Sequence, residues 1–524
     1  MKANLNIDRR NFLKATLAGA GAAALCPSAL MAAKTAKKKP NIILIMADDI
    51  SAKDFPTYNI PNPTYGDAPC STPVLEEIKN KGVQFKHGWA TPLCHPSRGM
   101  VLTGKYAHQT GWWSNSFTPH EGEENYPLGD HHITIGKIAK MAGYTNQFVG
   151  KWQLAGTMET YCFDEYVFTP GRYAARSPKD KKASSKTGKG KSSYYWNPGY
   201  SLHNHPDIEE SQGEQSKHFK TTWKDFAPDI EIKYIKDFMQ RKQKSGDPFM
   251  VYWPAHLGHS NWDYVNDRMG YPGVTPMDTK KYPGTKNVKV KMPDGTVVER
   301  SESGINYHVQ YLDKLIGDLI EHTKKLGIDK ETVIIFTTDN ASTSYGKGLK
   351  GAVKEHGPKV PFIIYGPGYV KARGEVDDFA SLADVAPTLA SLTGAKVPSD
   401  CNFDGIDMVD YLSGKTDKHR DWVYSYNAEY KMVRTRNLLR DGLDMYWDTR
   451  GTLDQESYKL ISKDAVPKEL KDELKVIESV LNKYPSAPTT GPEYERYMKS
   501  KAGKRKLWEK MQQRIFKENG LSMK

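Results

Sequence analysis

Cysteine is scarce in this chain: five residues in 524, at positions 26, 70, 94, 162 and 401. With Cys26 in an N-terminal apolar stretch and Cys94 in a motif of its own, three remain, and an odd number is no disulfide framework. Stability must come from a large core, which a chain of this length can supply. Long hydrophobic runs are lacking too. The apolar stretch near the start is rich in Gly and Ala and short of a bilayer span, so no stable membrane anchor is expected. No paired histidines stand at metal spacing, no internal repeat is visible, and no nucleic-acid module is recognisable, which excludes nucleic acid as an expected partner.

What is present begins with "NIDRRNFLKATLAGAGAAALCPSALMAAK", where Arg9 and Arg10 precede an apolar run closed by small residues. That pattern is a twin-arginine export signal, read here as residues 1–33. It implies the twin-arginine translocase as a partner and a periplasmic or secreted product. Leu25 stands where a lipoprotein site at Cys26 would need a small residue. The formal charge is +13, and removing the signal takes three charges and leaves +10. A basic exported chain suits an anionic partner. Much of the excess lies in residues 172–200, "RYAARSPKDKKASSKTGKGKSSYYWNPGY", either a solvated loop or a polyanion contact.

Several near-continuous apolar runs end on chemistry. "NIILIMADD" ends on Asp48 and Asp49, and "TVIIFTTDN" on Asp339 and Asn340. "TNQFVGKWQ" ends on Lys151 and Gln153, "PFMVYWPAHLGH" on His256 and His259, and "VPFIIYGPG" on a turn. Such runs read as strands buried on both faces. They alternate with stretches read as helical, "PVLEEIKNKGVQF", "TIGKIAKMAGY", "YHVQYLDKLIGDLIEHTKKLG" and "FASLADVAPTLASLTGA". The pattern predicts an α/β fold: a large, mixed, mostly parallel sheet sandwiched by helices. Ligands bind beyond the carboxyl ends of parallel strands, so these residues should converge. Three carboxylates and an amide oxygen make a hard site that selects Ca²⁺ or Mg²⁺ over Zn²⁺.

"CHPSRGMVLTGKY", residues 94–106, resembles the signature of the formylglycine-dependent sulfatases, within the alkaline-phosphatase superfamily. The segments "KPNIILIMADD", "MAGYTNQFVGKW", "KGLKGAVKEHGPKVPFIIYGPG" and "DVAPTLASLTGAKVPSDCNFDGIDM" follow in family order. The resemblance implies a sulfuric ester hydrolase in which Cys94 is oxidised to Cα-formylglycine by a formylglycine-generating enzyme that reads Pro96 and Arg98. It implies a divalent cation, Ca²⁺ in preference to Mg²⁺, held by Asp48, Asp49, Cys94, Asp339 and Asn340. It further implies Arg98 beside the formylglycine diol, Lys151 and Lys350 on sulfate oxygens, and His259 on the ester oxygen, with His256 a weaker candidate. Lys350 is preferred to Lys347 because its spacing to Glu355 matches the family segment. Gln153 departs from the family, which usually has histidine there; His95 and His108 are the nearest alternative bases in sequence.

The expected boundaries are a catalytic domain at 34–415 and a C-terminal subdomain at 416–524. In the latter, "WVYSYNAEYKMVRTRNLLRDGLDMYWD" reads as antiparallel strands and "KRKLWEKMQQRIFKEN" as a terminal helix. The expected substrate is a sulfated carbohydrate. A phosphonate or phosphodiester hydrolase of the same superfamily and a non-catalytic sulfatase-like binding protein are the alternatives.

Overall fold

The computed structural model describes residues 38–61, 70–118, 128–154, 156, 158–169, 199–206, 216–343, 349–453, 455–499, 510, 513, 514, 517 and 518. The export signal, nearly all of the basic stretch and most of the expected terminal helix lie outside the described residues.

The framework is an eleven-stranded sheet. Its strands include β1 (Asn41–Ala47), β2 (Val83–Trp89), β3 (Thr145–Lys151), β4 (Phe249–Pro254), β5 (Thr332–Thr338) and β6 (Phe362–Tyr365). The order from one edge is Lys359–Val360, β2, β6, β5, β1, β4, β3, then Glu165–Thr169, Gly199–His203 and Ser216–Lys220. Gly374–Ser381 pairs in parallel with β2. Following the pairings outward from β1, eight of the eleven strands run the same way. The sheet is therefore mixed and mostly parallel.

The apolar runs are continuous because the central strands bury both faces. In β1, Ile42, Leu44 and Met46 enter one core, while Ile43, Ile45 and Ala47 enter the other. Helices α1 (Pro73–Lys81), α2 (Cys94–Thr103), α3 (Ile135–Met141), α4 (Ala227–Ser245), α5 (Ile305–Lys325) and α6 (Val385–Thr393) cover the two faces. Val101 of α2, Ile138 of α3 and Leu389 of α6 pack in the first core; Ile78 of α1, Ile235 of α4 and Leu315 of α5 pack in the second.

Two stretches expected to be helical are part strand. "PVLEEIKNKGVQF" is helix only to Lys81, and Val83–Phe85 open β2. Gly82 makes the break: a Cβ there would lie 2.2 Å from the Ile364 carbonyl oxygen, so only glycine lets the chain turn into the sheet. Phe379–Ser381, expected to start a helix, instead pair with β2 at His87–Trp89, and α6 begins at Val385. β6 runs antiparallel to β5, which is why its end carries a turn and no site residue.

A second, five-stranded antiparallel sheet comprises Val423–Asn427, Tyr430–Arg434, Leu438–Arg440, Tyr446–Asp448 and Lys459–Ile461. Tyr424, Tyr426 and Val433 join the core that also holds Ile477 and Val480 of α7 (Lys471–Lys483). Val423, Met432 and Leu439, on the other face, pack against Trp89 and Val353.

Candidate active site

The strands that share a direction bring their carboxyl ends to one rim. β1 ends there on Asp48 and Asp49, β5 on Asp339 and Asn340, and β3 on Lys151. β2 also points this way, and its continuation through Pro92 and Leu93 delivers Cys94 as the first residue of α2. Asp49 has the left-handed φ of +57°, which is costly for a non-glycine residue. Its amide donates to Asp339 Oδ1 (3.0 Å), and the Asp339 amide donates to the Ala47 carbonyl (3.1 Å). The strained turn is thus over-determined by the neighbouring strand.

Thr91 and Ser97 fix the start of α2, their hydroxyls 2.7 Å apart and the Thr91 amide donating to Ser97 Oγ (3.0 Å). Arg98 follows Cys94 by four residues and shares its helix face. Its guanidinium donates from Nε (3.1 Å) and Nη2 (2.7 Å) to Asp339 Oδ2, and Nη2 stands 3.5 Å from Asp48 Oδ1. Lys151 Nζ pairs with Asp48 Oδ2. Lys350 Nζ lies 2.5 and 2.7 Å from the two Asp49 oxygens and 2.9 Å from Cys94 Sγ. Asn340 Nδ2 donates to Asp49 Oδ1 (2.7 Å). Arg98, Lys151 and Lys350 therefore face Asp48, Asp49 and Asp339 across a buried cluster.

Burial by itself would raise the pKa of Asp48 and Asp49. Lys151 beside the first and Lys350 beside the second outweigh it, together with His259, and hold both below the usual range, Asp48 at about 2. Burial opposes the charge of Lys350, but Asp49 overrides it and lifts that pKa well above the ordinary value. Burial pushes the Cys94 thiol up to about 12. A thiol so held stays protonated at neutral pH and is a poor nucleophile.

His259 Nδ1 donates to the Ser260 carbonyl (2.8 Å), which turns Nε2 toward the site, 3.6 Å from Asp49 Oδ2. Withdrawal from water and then the Lys151 charge lower its pKa. His256 is not brought in: its Nδ1 meets Glu231 Oε1 at 2.6 Å, and the same carboxylate accepts from Trp253 Nε1 (2.7 Å). Gln153 Nε2 lies 3.5 Å from His95 Nδ1, and the His95 ring stacks on Trp112. Burial lowers the His95 pKa to about 3, so its imidazole is neutral at physiological pH. His108 stands 3.7 Å from Asp404 and against the Tyr484 ring.

Asp48, Asp49, Asp339 and Cys94 offer ligand atoms all within 4.8 Å of one another. Asp48 Oδ1 and Asn340 Oδ1, in side chains with no exposed surface, accept no hydrogen bond among the described residues. Buried acceptors without donors are costly. A hard divalent cation satisfies both, so these residues fit one.

The sulfatase family model matches residues 40–395, and a twin-arginine translocation signal matches residues 6–25. The chain belongs to the sulfatase family. Among curated relatives, the chain is 26% identical over 409 residues to N-acetylgalactosamine-6-sulfatase of Rattus norvegicus, covering 71% of this chain. The match spans 66% of that relative's length. Arylsulfatase A of Bos taurus is 26% identical over 441 residues, covering 79% of this chain and 76% of that one. The fold matches the solved structure of Ps i-CgsB in complex with k-i-k-neocarrahexaose, with a TM-score of 0.61, 22% identity, and coverage of 84% and 93% of the two chains. The twin-arginine signal marks this sulfatase-family chain for export to the periplasm or beyond. Among the described residues no helix is long and apolar enough to cross a membrane.

Two features of the site escaped the sequence reading. One is β2 as the strand that delivers Cys94, though Val83, Phe85, His87 and Trp89 alternate after a glycine break. The other is the brace behind the acids, where Ser51 Oγ meets Ser342 Oγ (3.1 Å) and accepts from the Ser342 amide (2.9 Å). Lone serines carry no signal that could have found it.

Proposed function

We propose that this chain is an exported sulfatase that hydrolyses sulfate esters of carbohydrates, with residue 94 converted to Cα-formylglycine. A divalent cation, Ca²⁺ in preference to Mg²⁺, is held by Asp48, Asp49, Asp339, Asn340 and residue 94. The observation that carries the reading is the meeting of Cys94, Arg98, Lys151 and Lys350 with Asp48, Asp49 and Asp339 at one rim. When bound, the cation supplies a Lewis acid for a sulfate oxygen and for a hydroxyl of the diol. A hydrated aldehyde at residue 94 supplies two hydroxyls on one carbon, one to attack sulfur and one to expel sulfate as the carbonyl re-forms.

The remaining roles fall to side chains. Arg98, fixed on Asp339, holds the diol by charge-assisted hydrogen bonds. Lys151 and Lys350 face sulfate oxygens, where charge shifts in the transition state. His259 Nε2 serves the departing ester oxygen. Gln153 can orient a hydroxyl but cannot take its proton, because a carboxamide has no useful basicity near neutral pH. The carbohydrate assignment rests on the basic charge, on export and on the relative that acts on N-acetylgalactosamine 6-sulfate. The formylglycine-generating enzyme and the translocase are the maturation partners.

Co-expression with a formylglycine-generating enzyme, tryptic mass spectrometry of residue 94 and paired assays on sulfate, phosphate and phosphonate esters test the reading. Formylglycine at residue 94 and a preference for sulfate are expected, with activity lost to a chelator. Full activity with unmodified cysteine, or a preference for phosphorus esters, overturns it.

A further inference from the structure

Lys350 lies between β5 and Lys359–Val360 in a segment with no helix or strand of its own among the described residues. Leu349 (φ +57°) and Gly351 (φ +80°) flank it in left-handed conformations, so the backbone there is not self-stabilising. Its shape is imposed by bonds to other segments. The Lys350 amide donates to the Ser342 carbonyl (3.0 Å), and the Gly351 amide to the Pro92 carbonyl (2.8 Å), two residues before Cys94.

The other grips come from the small sheet. Asn427 Nδ2 donates to the Gly351 carbonyl at 3.1 Å, in a buried contact. The Gly442 amide donates to the Val353 carbonyl (2.7 Å). A Cβ on Gly442 would lie 2.6 Å from Val353 Cβ, so glycine alone permits that approach. Strand alternation explains why Asn427 is available: Val423, Ser425 and Asn427 share a face, and Val423 packs with Val353. The Gly351 peptide is thus held at its N–H by the segment that carries Cys94 and at its carbonyl by the small sheet.

We propose that Asn427 is a positioning residue for Lys350. By holding the Gly351 carbonyl it sets the reach of the Lys350 ammonium toward Asp49, residue 94 and the sulfate group. The small sheet, remote in sequence from every group at the rim, is then part of the catalytic apparatus. The proposal rests on the sulfatase reading. Loss of one buried hydrogen bond costs about tenfold in the property it supports, and a misplaced catalytic group amplifies the loss.

A double-mutant cycle on kcat/KM for a chromogenic aryl sulfate tests it, with Asn427→Ala and Lys350→Ala made singly and together. Asn427→Ala is expected to lower kcat/KM about tenfold in the otherwise unmutated enzyme and less than about twofold in the Lys350→Ala background. Equal losses in both backgrounds would mean that Asn427 acts on the fold at large, and would overturn the proposal. Asn427→Asp, which keeps the volume but turns a carboxylate toward the Gly351 carbonyl, carries the same cycle if the alanine variant does not fold. An unmutated enzyme that releases no sulfate sinks the sulfatase reading and this proposal with it. An active enzyme with an additive cycle sinks the positioning role alone.

Discussion

Lys151 and Lys350 bring ammonium groups to adjacent carboxylates, but the regions that carry them are built on different principles. Lys151 ends β3, a strand inside the sheet, and its backbone is in parallel register with Thr169 of the neighbouring strand. Lys350 sits in a loop with left-handed neighbours, placed by bonds to Ser342, Pro92 and, through Gly351, Asn427. Strand ends give positions that need no outside help. Loop positions need a second element, and here that element is the small antiparallel sheet. A rim assembled from both kinds of support can lose one contact by remote substitution and keep the other.

The largest expected effect lies at residue 94, which neither arm carries. Cys94→Ala should lower turnover by at least about 10³-fold while leaving the melting temperature nearly unchanged; calorimetry beside an aryl sulfate assay checks this. A variant that retains activity would remove residue 94 from the chemistry.

The next compares the arms directly. Lys151→Ala and Lys350→Ala should each cost about 10² to 10³ in kcat/KM, as the removal of a preorganised transition-state contact does. If Lys350→Ala costs only a few-fold, the loop arm binds no reacting group and the comparison collapses.

A smaller effect lies at Gln153, beside β3. Gln153→His should raise kcat by less than about tenfold and shrink any pre-steady-state burst of alcohol, because a base near residue 94 speeds sulfate release. Stopped-flow traces that are linear from the first turnover in both enzymes would show that release does not limit the rate.

The smallest concerns stability. Glu355 anchors the loop arm, accepting from Tyr458 OH (2.6 Å) and Arg434 Nε (3.3 Å). Burial acts to raise its pKa, but Lys359 and Arg434 outweigh it and hold the carboxyl at about 2, against 4.5 ordinarily. The unfolded chain therefore takes up the proton first as pH falls. The stability this group contributes is full above about pH 4.5 and is lost progressively toward pH 2. Glu355→Gln should flatten that part of the melting profile, and an unchanged acid slope would show that the anchor carries no such linkage.

Much of the rim was legible before any fold was known. The runs ending on Asp48, Asp49, Asp339, Asn340 and Lys151 are visible because a strand buried on both faces must be apolar throughout, so the first charged residues mark its end. The short motif from Cys94 to Arg98 reads locally for a similar reason: four residues on a helix return to one face. His256 and His259 were not separable in the same way. They stand three residues apart after one strand; the family resemblance favoured His259, and the contact of His256 with Glu231, on α4, is not legible in the sequence. β2 was hidden because a helix and a strand share one short stretch, with Gly82 as the sole break.

The sequence by itself determined the fold class, five strands of the large sheet and the charged residues at the ends of β1, β3 and β5, because burial periodicity and motif spacing are local properties of the chain. Only the tertiary structure decided that His256 is drawn off to Glu231, that His95 stands beside Gln153, and that Lys350 is held by Asn427 from a different sheet. Those outcomes depend on contacts between residues distant in the chain, which hydrophobic pattern brings near one another but does not pair.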